Sequence, residues 1–385
     1  MKSILFIAEN FPPDKGGIAV SADRIVQMLS KFYNIHVITF SQTPYDSCNK
    51  ITYLYSNNRK VYRLSPFLHG WKHKLDKFSR ALILENTIKI IAKLDFWDEI
   101  SLIHGFGMQN AGYIASKLKE IFNIPLIQSI RGNDVGRNIY DSSKRQLLKH
   151  TLRNSDVIVT VNEWLFKTLL NIYPEMMSKT IVIPNSIDLN DIHLNRTNQQ
   201  NDNQNKLLIG YVGSLREKKG PHIINDLVNK FIIPNEGKLL IIGDIDLSLY
   251  KTIGWKNIKW KNKYIHQVRA RDRNELFRLI EKCNWFIYPS LDDGMANGVL
   301  EIMCSGKICV ASEIFSDVIT DKKDGFIVYS YNSVSYLEKC NHIFKNRSIL
   351  ARMGNNARMK IFNNFIKKIE LAKWKKEYNI LLKTK

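Results

Sequence analysis

The stretch that decides the fold runs Tyr288-Pro289-Ser290-Leu291-Asp292-Asp293-Gly294-Met295-Ala296-Asn297-Gly298-Val299-Leu300-Glu301. Its pattern predicts a strand that ends at Pro289, a loop of small residues, and a helix that begins near Asn297. The first turn of a helix presents backbone N–H groups without partners, and glycine lets an anion come close to the chain. We therefore predict an anion site at the start of this helix, which a phosphate group could approach closely.

Two carboxylates lie on either side of this predicted anion site. Asp293 belongs to the loop, and Glu301 lies in the early turns of the predicted helix, with seven residues between them. Such a pair could hold hydroxyl groups on both sides of a bound diphosphate, as a ligand with a sugar, a diphosphate and a ribose requires. The alternative is a glycine-rich loop followed by a helix with a surface carboxylate.

The rest of the chain alternates short β-type runs with segments of helical period, which is typical of parallel α/β layers. A first sheet is predicted from residues 3–8, 34–39, 102–104, 125–129, 157–161 and 180–184. A second sheet is predicted from residues 207–212, 238–242, 285–288, 308–311 and 326–329.

A polar run at 194–206 separates the two predicted sheets, and it has too few apolar residues to join a core. We expect two Rossmann-like, doubly wound domains, 1–193 and 207–365, that face a central cleft. A final helix at 366–385 is expected to pack back towards the first domain. In such folds ligands bind at the carboxyl ends of the strands.

The composition argues against a membrane-spanning protein and a zinc protein. The 385 residues have 44% hydrophobic content, and no apolar run reaches the ~20 residues that a membrane-spanning helix needs. The five cysteines form no Cys-x-x-Cys pair, which indicates reduced thiols in a cytoplasmic protein and argues against a zinc site.

The formal net charge of +21 predicts attraction to an anionic partner. No RNA-binding or helix-turn-helix pattern is present, so we do not expect nucleic acid to be that partner. The stretch 59–80 has seven Lys or Arg residues and one acid, interleaved with the aromatic residues Tyr62, Phe67, Trp71 and Phe78. This composition predicts a peripheral anchor on an anionic membrane surface. The alternatives are aromatic side chains that turn into the core and a charge that reflects composition alone.

A cationic loop and a glycine pair follow two further predicted strands. The sequence at 208–220 predicts a strand, then Gly213, then a loop with Arg216 and Lys219, two cations that can hold a diphosphate. The alternative is a solvated charged turn. The pair Gly16 and Gly17 follows the first strand, and the chain lacks the Gly-x-Gly-x-x-Gly fingerprint of a nicotinamide site.

Taken in order along the chain, these motifs resemble those of the family-4 glycosyltransferases. Asp293 and Glu301 match the acidic-x7-acidic motif, and 213–220 is similar to the donor-phosphate loop. Members commonly have Arg directly after the glycine, where this chain has Ser214, so we expect Arg216 to supply the guanidinium. Further positions that match strand-end residues of the family are His104, Gly243 and the segment 129–135, where Arg131 replaces the usual histidine.

The resemblance implies a GT-B fold and a retaining, metal-independent transfer from a nucleotide diphosphate sugar, with no other cofactor. Residues at the reacting centre would be Arg216, Lys219, Asp293, Arg131 and His104. Donor-binding residues would be Gly16, Gly17, Gly213, Arg216, Lys219, Gly243, Glu301 and the four residues from Met295 to Gly298. By this resemblance Glu301 binds the ribose and Asp293 faces the transferred sugar.

The acceptor implied by the resemblance is a glycan or a lipid-linked sugar, as in polysaccharide biosynthesis at the cytoplasmic membrane face. Asp244 and Asp246 spell a metal motif of the other large glycosyltransferase fold, which we interpret as coincidence within a GT-B pattern. Two alternatives share the fold: a nucleotide-sugar 2-epimerase, and a non-catalytic relative that binds glycans or nucleic acid.

Overall fold

The structure, a computed structural model, describes residues 1–14, 16–40, 51–56, 58–64, 77–136, 138–188, 206–246, 248–249, 261–295 and 297–383. The chain forms two compact units, Met1–Asn185 with Glu370–Lys385, and Ser186–Ile369. The division falls before the predicted boundary at 193, since Ile187 bridges to Ile366 within the second unit. The predicted linker at 194–206 lies outside the described residues, apart from Lys206.

The described residues of the first unit form an eight-stranded sheet of order β3-β4-β2-β1-β5-β6-β7-β8. Its pairs are parallel except for the antiparallel pair β3–β4. The strands are β1 Ser3–Ala8, β2 Asn34–Phe40, β3 Ile51–Ser56, β4 Arg59–Leu64, β5 Ile100–Phe106, β6 Leu126–Ser129, β7 Val157–Thr160 and β8 Thr180–Val182.

Helices cover both faces of this sheet, which explains why central strands such as β1 are buried along their whole length. The helices are α1 Gly17–Leu29, α2 Lys77–Ala92, α3 Asn110–Phe122, α4 Gly132–Gly136, α5 Ser142–Asn154 and α6 Glu163–Ile172. In α1 the buried Ala22, Ile25, Val26 and Leu29 recur at helical spacing and join one core layer. A second layer, which includes Leu5, Ile7 and Ile114, packs on the other face.

Strand β4 corrects part of the sequence interpretation. Residues 59–64 belong to the predicted membrane anchor, yet they form a strand parallel to β2 in which Tyr62 and Arg63 are buried. Arg63 donates hydrogen bonds of 2.8 Å to the carbonyls of Phe11 and Pro12. The number of cations predicted a surface segment, because the sequence does not distinguish a buried cation that has carbonyl partners from a cation at the surface. Residues 65–76 lie outside the described residues.

The second unit contains a six-stranded parallel sheet of order β11-β10-β9-β12-β13-β14 among its described residues. The strands are β9 Leu208–Val212, β10 Lys238–Ile242, β11 Ile265–Val268, β12 Trp285–Tyr288, β13 Cys309–Ser312 and β14 Phe326–Val328. The helices are α7 Pro221–Leu227, α8 Lys261–Tyr264, α9 Arg273–Lys282, α10 Asn297–Cys304, α11 Ser333–Lys345, α12 Ile349–Asn364 and α13 Lys367–Lys383.

The C-terminal part of α13 belongs to the first unit from Glu370 onwards. Trp374 and Tyr378 are buried there in the same core layer as α1. The Nζ of Lys2 donates a hydrogen bond of 2.6 Å to the carbonyl of Leu382, which ties the end of the helix to the start of β1. None of the described helices is long and apolar enough to cross a membrane.

Candidate functional site

The candidate site lies at the switch point of the second sheet. The chain leaves β9 towards β10 and β11 on one side and continues from β12 to β13 and β14 on the other. In doubly wound sheets this reversal opens a crevice at the carboxyl ends of the two central strands. Here those ends are Val212 and Tyr288, which are joined by a hydrogen bond from the Tyr288 hydroxyl to the Val212 carbonyl.

Two predicted glycines sit directly after strand ends with backbone that suits glycine. Gly213 has φ of 116° and Gly243 has φ of 147°. A Cβ at Gly243 would lie 2.3 Å from the carbonyl oxygen of Gly213, so the two loops pack backbone against backbone. The structure thus brings Gly213 and Gly243 together at one edge of the sheet.

Helix α10 begins at Asn297, as the sequence predicts, and its start packs on the same strand ends. A Cβ at Gly298 would lie 2.3 Å from the Tyr288 hydroxyl oxygen and 3.1 Å from a side-chain carbon of Val212. Only glycine therefore allows the first turn of α10 this close to β9 and β12. Met295 is buried before the helix, and Ala296 lies outside the described residues.

Hydrogen bonds and ion pairs join the loop that contains Arg216 and Lys219 to the loop that contains Asp292 and Asp293. A 3-10 turn at Glu217–Lys219 lies beside residues 291–293, and the N–H of Leu291 donates a 2.9 Å hydrogen bond to the carbonyl of Lys218. Lys218 pairs with Asp292 at 3.0 Å, and Lys219 pairs with Asp293. The structure therefore brings together Lys219 and Asp293, two residues predicted from separate motifs and 74 positions apart in the chain.

The Lys219–Asp293 pair is the more enclosed of the two neighbouring pairs. The Lys219 and Asp293 side chains are 13% and 17% exposed, against 33% for Lys218. A partly dehydrated ion pair interacts more strongly than a surface pair, because water screens it less. Lys219 thus presents a fixed cation at the strand ends.

Arg216 lies on the same loop with an exposed side chain. Hydrogen bonds from Ser248, and to a smaller extent the charge of Arg216, lower the pKa of Asp246. The structure brings Arg216 to the same edge of the sheet as Lys219, at the start of the same 3-10 turn.

Glu301 belongs to α10, and its side chain is buried. It has an ion-pair partner that the sequence motifs did not predict. Its Oε1 lies 3.2 Å from a guanidinium nitrogen of Arg273, the first residue of α9. A buried carboxylate requires such a cation or hydrogen-bond donors, since isolated burial of the charge is costly. Sequence reasoning missed Arg273 because nothing in local spacing connects α9 with α10.

The two acids of the apparent metal motif have partners within the protein. Asp244 pairs with Arg269, and Asp246 accepts hydrogen bonds from the backbone and side chain of Ser248 at 3.0 and 2.9 Å. Over the described ranges, no group of three or more His, Cys, Asp or Glu residues could hold a metal ion.

In the first unit, Gly16 and Gly17 lie at the start of α1, just after β1. Gly16 has φ of 128° and caps the helix, and a Cβ on either glycine would meet no atom within 4 Å. The backbone there offers an open approach to the end of a helix. Lys15 lies outside the described residues.

His104 is placed in the core of the first unit. It is fully buried, its Nδ1 lies 2.6 Å from the Tyr378 hydroxyl, and its Nε2 lies 2.7 Å from the Ser129 hydroxyl. Burial, followed by the charge of Arg131, holds the pKa of His104 well below its usual value. Both ring nitrogens thus have internal partners, and a contact of His104 with the reacting groups stays a prediction.

Arg131 lies beneath the strand ends of the first sheet. Its guanidinium carbon is 4.0 Å from the centre of the Phe106 ring, and one nitrogen donates a 3.3 Å hydrogen bond to Asn185. Burial, with the nearby charge of Arg24, lowers the pKa of Arg131 to about 9, so the group stays cationic at neutral pH. It therefore cannot act as a base there.

Two buried acids accompany Arg131, and sequence reasoning gave neither a role. Asp134 accepts a 2.8 Å hydrogen bond from the Arg131 N–H, and burial raises its pKa to about 7. Glu9 accepts a 2.7 Å hydrogen bond from the N–H of Asn110, and burial raises its pKa as well. Both follow the ends of strands, which is the signal that could have identified them.

Comparison with known proteins agrees with this arrangement. The family described as Glycosyltransferase Family 4 matches residues 15–191, and the family described as Glycosyl transferases group 1 matches residues 195–360. The two matches together span most of both units.

Individual relatives have low sequence identity to this chain, but the similarity extends over a large part of it. An uncharacterised glycosyltransferase of Methanocaldococcus jannaschii is 24% identical over 90% of each chain. The Escherichia coli UDP-Gal:alpha-D-GlcNAc-diphosphoundecaprenol alpha-1,3-galactosyltransferase is 24% identical over 58% of each chain.

Solved structures share the fold at low sequence identity. Sucrose-phosphate synthase from Thermosynechococcus elongatus has a TM-score of 0.83, with 16% identity over the whole of both chains. The Anabaena protein HepE in complex with UDP-glucose has a TM-score of 0.72, with 14% identity over 98% of this chain and 100% of that chain. Two largely parallel sheets with flanking helices, the two family matches and these likenesses lead to one conclusion: the chain belongs to the group 1, family-4 glycosyltransferases and has their α/β, two-domain GT-B fold.

Proposed function

We propose that this glycosyltransferase moves a sugar from a nucleotide diphosphate sugar to a glycan or lipid-linked acceptor, with retention of configuration and without a metal ion. One observation carries the proposal. At the switch point of the second sheet, the enclosed Lys219–Asp293 pair precedes α10, and the buried Glu301 lies in the second turn of that helix.

The roles follow from charge and position. The bond between the sugar C1 and the phosphate oxygen breaks, and negative charge develops on the leaving diphosphate. Lys219, Arg216 and the amides at the start of α10 stabilise that charge, and preorganised charge of this kind is usually the largest catalytic effect. Glu301 accepts hydrogen bonds from the ribose hydroxyls, and Asp293 accepts them from the transferred sugar.

No protein nucleophile is needed in this scheme. The acceptor hydroxyl attacks C1 from the face that the diphosphate leaves, so a new C1–O bond forms with retained configuration. The acceptor's proton passes to an oxygen of the leaving phosphate. Arg131 and the Gly16–Gly17 turn stay predictions as further contacts of the reacting groups.

Relatives support the substrate classes. HepE binds UDP-glucose, which supports a uridine diphosphate sugar as the donor. The Escherichia coli relative is a galactosyltransferase named for an acceptor sugar on diphosphoundecaprenol, which supports a lipid-linked acceptor. Both likenesses support the proposal at the level of substrate class.

A screen of donor hydrolysis across nucleotide sugars tests the proposal. We expect slow release of a nucleoside diphosphate from one donor class, faster release with acceptor, and activity that survives a strong chelator. The new glycosidic bond should show the anomeric configuration of the donor by NMR.

Three outcomes would contradict the proposal in distinct ways. Loss of activity on chelation, restored by magnesium or manganese, would make Asp244 and Asp246 metal ligands. An epimerised sugar formed from donor alone would indicate the 2-epimerase alternative. Donor binding without any turnover across acceptors would indicate a non-catalytic relative.

A further inference from the structure

A cavity of about 510 Å³ lies in the second unit beside β14, α11 and α12. None of the residues that line it belongs to the donor site around Lys219 and Glu301. Its volume falls within the range of about 300–1,000 Å³ that is typical of small-molecule sites. Part of its wall is apolar and aromatic, formed by Phe326, Ile349 and Met353. The cavity therefore has the size and the apolar surface that a small planar group requires.

Three cations from three different elements line the same cavity. Lys322 comes from the turn before β14, Lys339 from α11 and Arg352 from α12. Over the part of the chain that the structure describes, none of the three lies within ion-pairing distance of an acid. Lys339 Nζ lies 5.7 Å from the centre of the Phe326 ring, so positive charge and aromatic surface are adjacent. Several cations that line one cavity attract a ligand with several negative charges.

The backbone conformation of Lys322 independently indicates a ligand site. Lys322 has φ of 62°, in the left-handed region that glycine adopts more readily, and its N–H donates a 2.8 Å hydrogen bond to the Gly325 carbonyl. A lysine in such a conformation is less stable than a glycine would be. Local strain of this type concentrates at ligand sites, where the side chain has a use.

We propose that this cavity binds a nucleoside polyphosphate, at a site separate from the donor site. The phosphates contact Lys322, Lys339 and Arg352, and the base lies against the wall that contains Phe326. Glu338, the one acid that lines the cavity, accepts a hydrogen bond from a ribose hydroxyl or a base amino group. A charged ligand without a planar group would leave the apolar wall unused.

Calorimetric titration of the full chain with ATP tests this site. The titration uses an R216A/K219A background, which lacks two of the proposed diphosphate contacts of the donor site. In that background, K339Q/R352Q should weaken ATP binding at least tenfold, because two charge-assisted contacts are lost. K345Q removes a lysine of the same helix outside the cavity and should leave ATP affinity unchanged. Equal ATP affinity in the K339Q/R352Q variant and its parent would overturn the proposal.

Two further measurements test the role of Lys322 and the need for a base in the ligand. K322G should raise the melting temperature, because glycine fits the backbone, and should also weaken ATP binding about tenfold. Inorganic tripolyphosphate, which has the charge without the base, should bind more weakly than ATP. Equal affinity for tripolyphosphate and ATP would overturn the nucleoside assignment, and unchanged ATP affinity in K322G would remove Lys322 from the site.

Discussion

Lys218 and Lys219 are neighbours in sequence, and each pairs with an aspartate of the facing loop, Asp292 or Asp293. They differ in exposure, since Lys219 is the more enclosed of the two. Because water screens an exposed charge, we expect the enclosed lysine to interact more strongly with the proposed donor phosphate. At the scale of single residues, we therefore expect the two lysines to differ in their effect on turnover.

The two lysines offer a matched pair of variants. K219A should lower turnover by roughly 10²–10³ with the fold intact, because one preorganised cation is lost at the diphosphate. R216A should act in the same direction. K218A removes an identical side chain from an identical type of pair and should change turnover only slightly. Steady-state kinetics with circular dichroism as the folding control would decide, and unchanged turnover in K219A would exclude it from the site.

The raised pKa of Asp134 leads to a prediction of how the stability of the fold varies with pH. Burial raises its pKa to about 7, from 3.8 in the unfolded chain. A carboxyl with a raised pKa stabilises the fold below its unfolded pKa, and this contribution disappears as the pH rises from about 4 to 7. D134N removes the titration and keeps an oxygen that can accept from the Arg131 N–H.

Thermal unfolding of both proteins across pH 4 to 8 measures this effect. Wild type should lose stability relative to D134N as the pH rises through this window, by up to about 4 kcal/mol at pH 8. Parallel melting curves at every pH would mean that Asp134 is ionised in the folded state throughout.

At the scale of elements, the site depends on how closely α10 approaches β9 and β12. The contact passes through Gly298, the Tyr288 hydroxyl and Val212, and it sets the distance between the helix start and the strand ends. A helix start binds an anion through N–H groups in fixed positions, so a shift of the helix displaces them. We therefore expect the position of α10 to affect donor binding.

G298A tests this approach distance. Its Cβ would lie 2.3 Å from the Tyr288 hydroxyl oxygen, so we expect a loss of about 1–3 kcal/mol in stability and weaker donor binding. The double variant G298A/Y288F removes the clashing oxygen and should recover part of both losses. Y288F alone controls for the lost hydrogen bond to Val212. Additive effects in the double variant, measured by unfolding and UDP titration, would refute the steric explanation.

At the scale of the whole molecule, the dominant property is the net charge of +21. Residues 59–64 of the predicted membrane contact at 59–80 form β4, in which Tyr62 and Arg63 are buried and cannot contact a membrane surface. The remaining lysines of that stretch are Lys72, Lys74 and Lys77, and peripheral membrane association through them stays a prediction. Cations near anionic lipid each contribute about 1 kcal/mol to binding.

Co-sedimentation with liposomes tests membrane association. Binding should require anionic lipid and weaken as salt screens charges beyond about 8–10 Å. Replacing Lys72, Lys74 and Lys77 together by Gln should reduce binding. The control replaces the same number of lysines in the second unit, Lys230, Lys282 and Lys345. Equal recovery with neutral and anionic vesicles would indicate an acceptor that is not at a membrane.

The sequence alone predicted the architecture and the elements that surround the candidate site, because those features depend on local patterns. Hydrophobic runs predicted the strands Ser3–Ala8, Lys238–Ile242 and Trp285–Tyr288 with their observed bounds, and small residues located the start of α10. It missed β3 and β4 at one end of the first sheet and β11 at one end of the second, because their mixed polar and apolar residues lack the uniform apolar run of a buried strand.

Only the tertiary structure decided which side chains have partners. Arg273 pairs with Glu301, Tyr378 contacts His104, and Arg63 donates to the carbonyls at Phe11 and Pro12. These contacts join residues between 28 and 274 positions apart. Local periodicity determines which face of an element is buried, whereas the order of strands in the sheet determines what lies against that face. A histidine at a strand end thus became a core residue because a distant helix covers it.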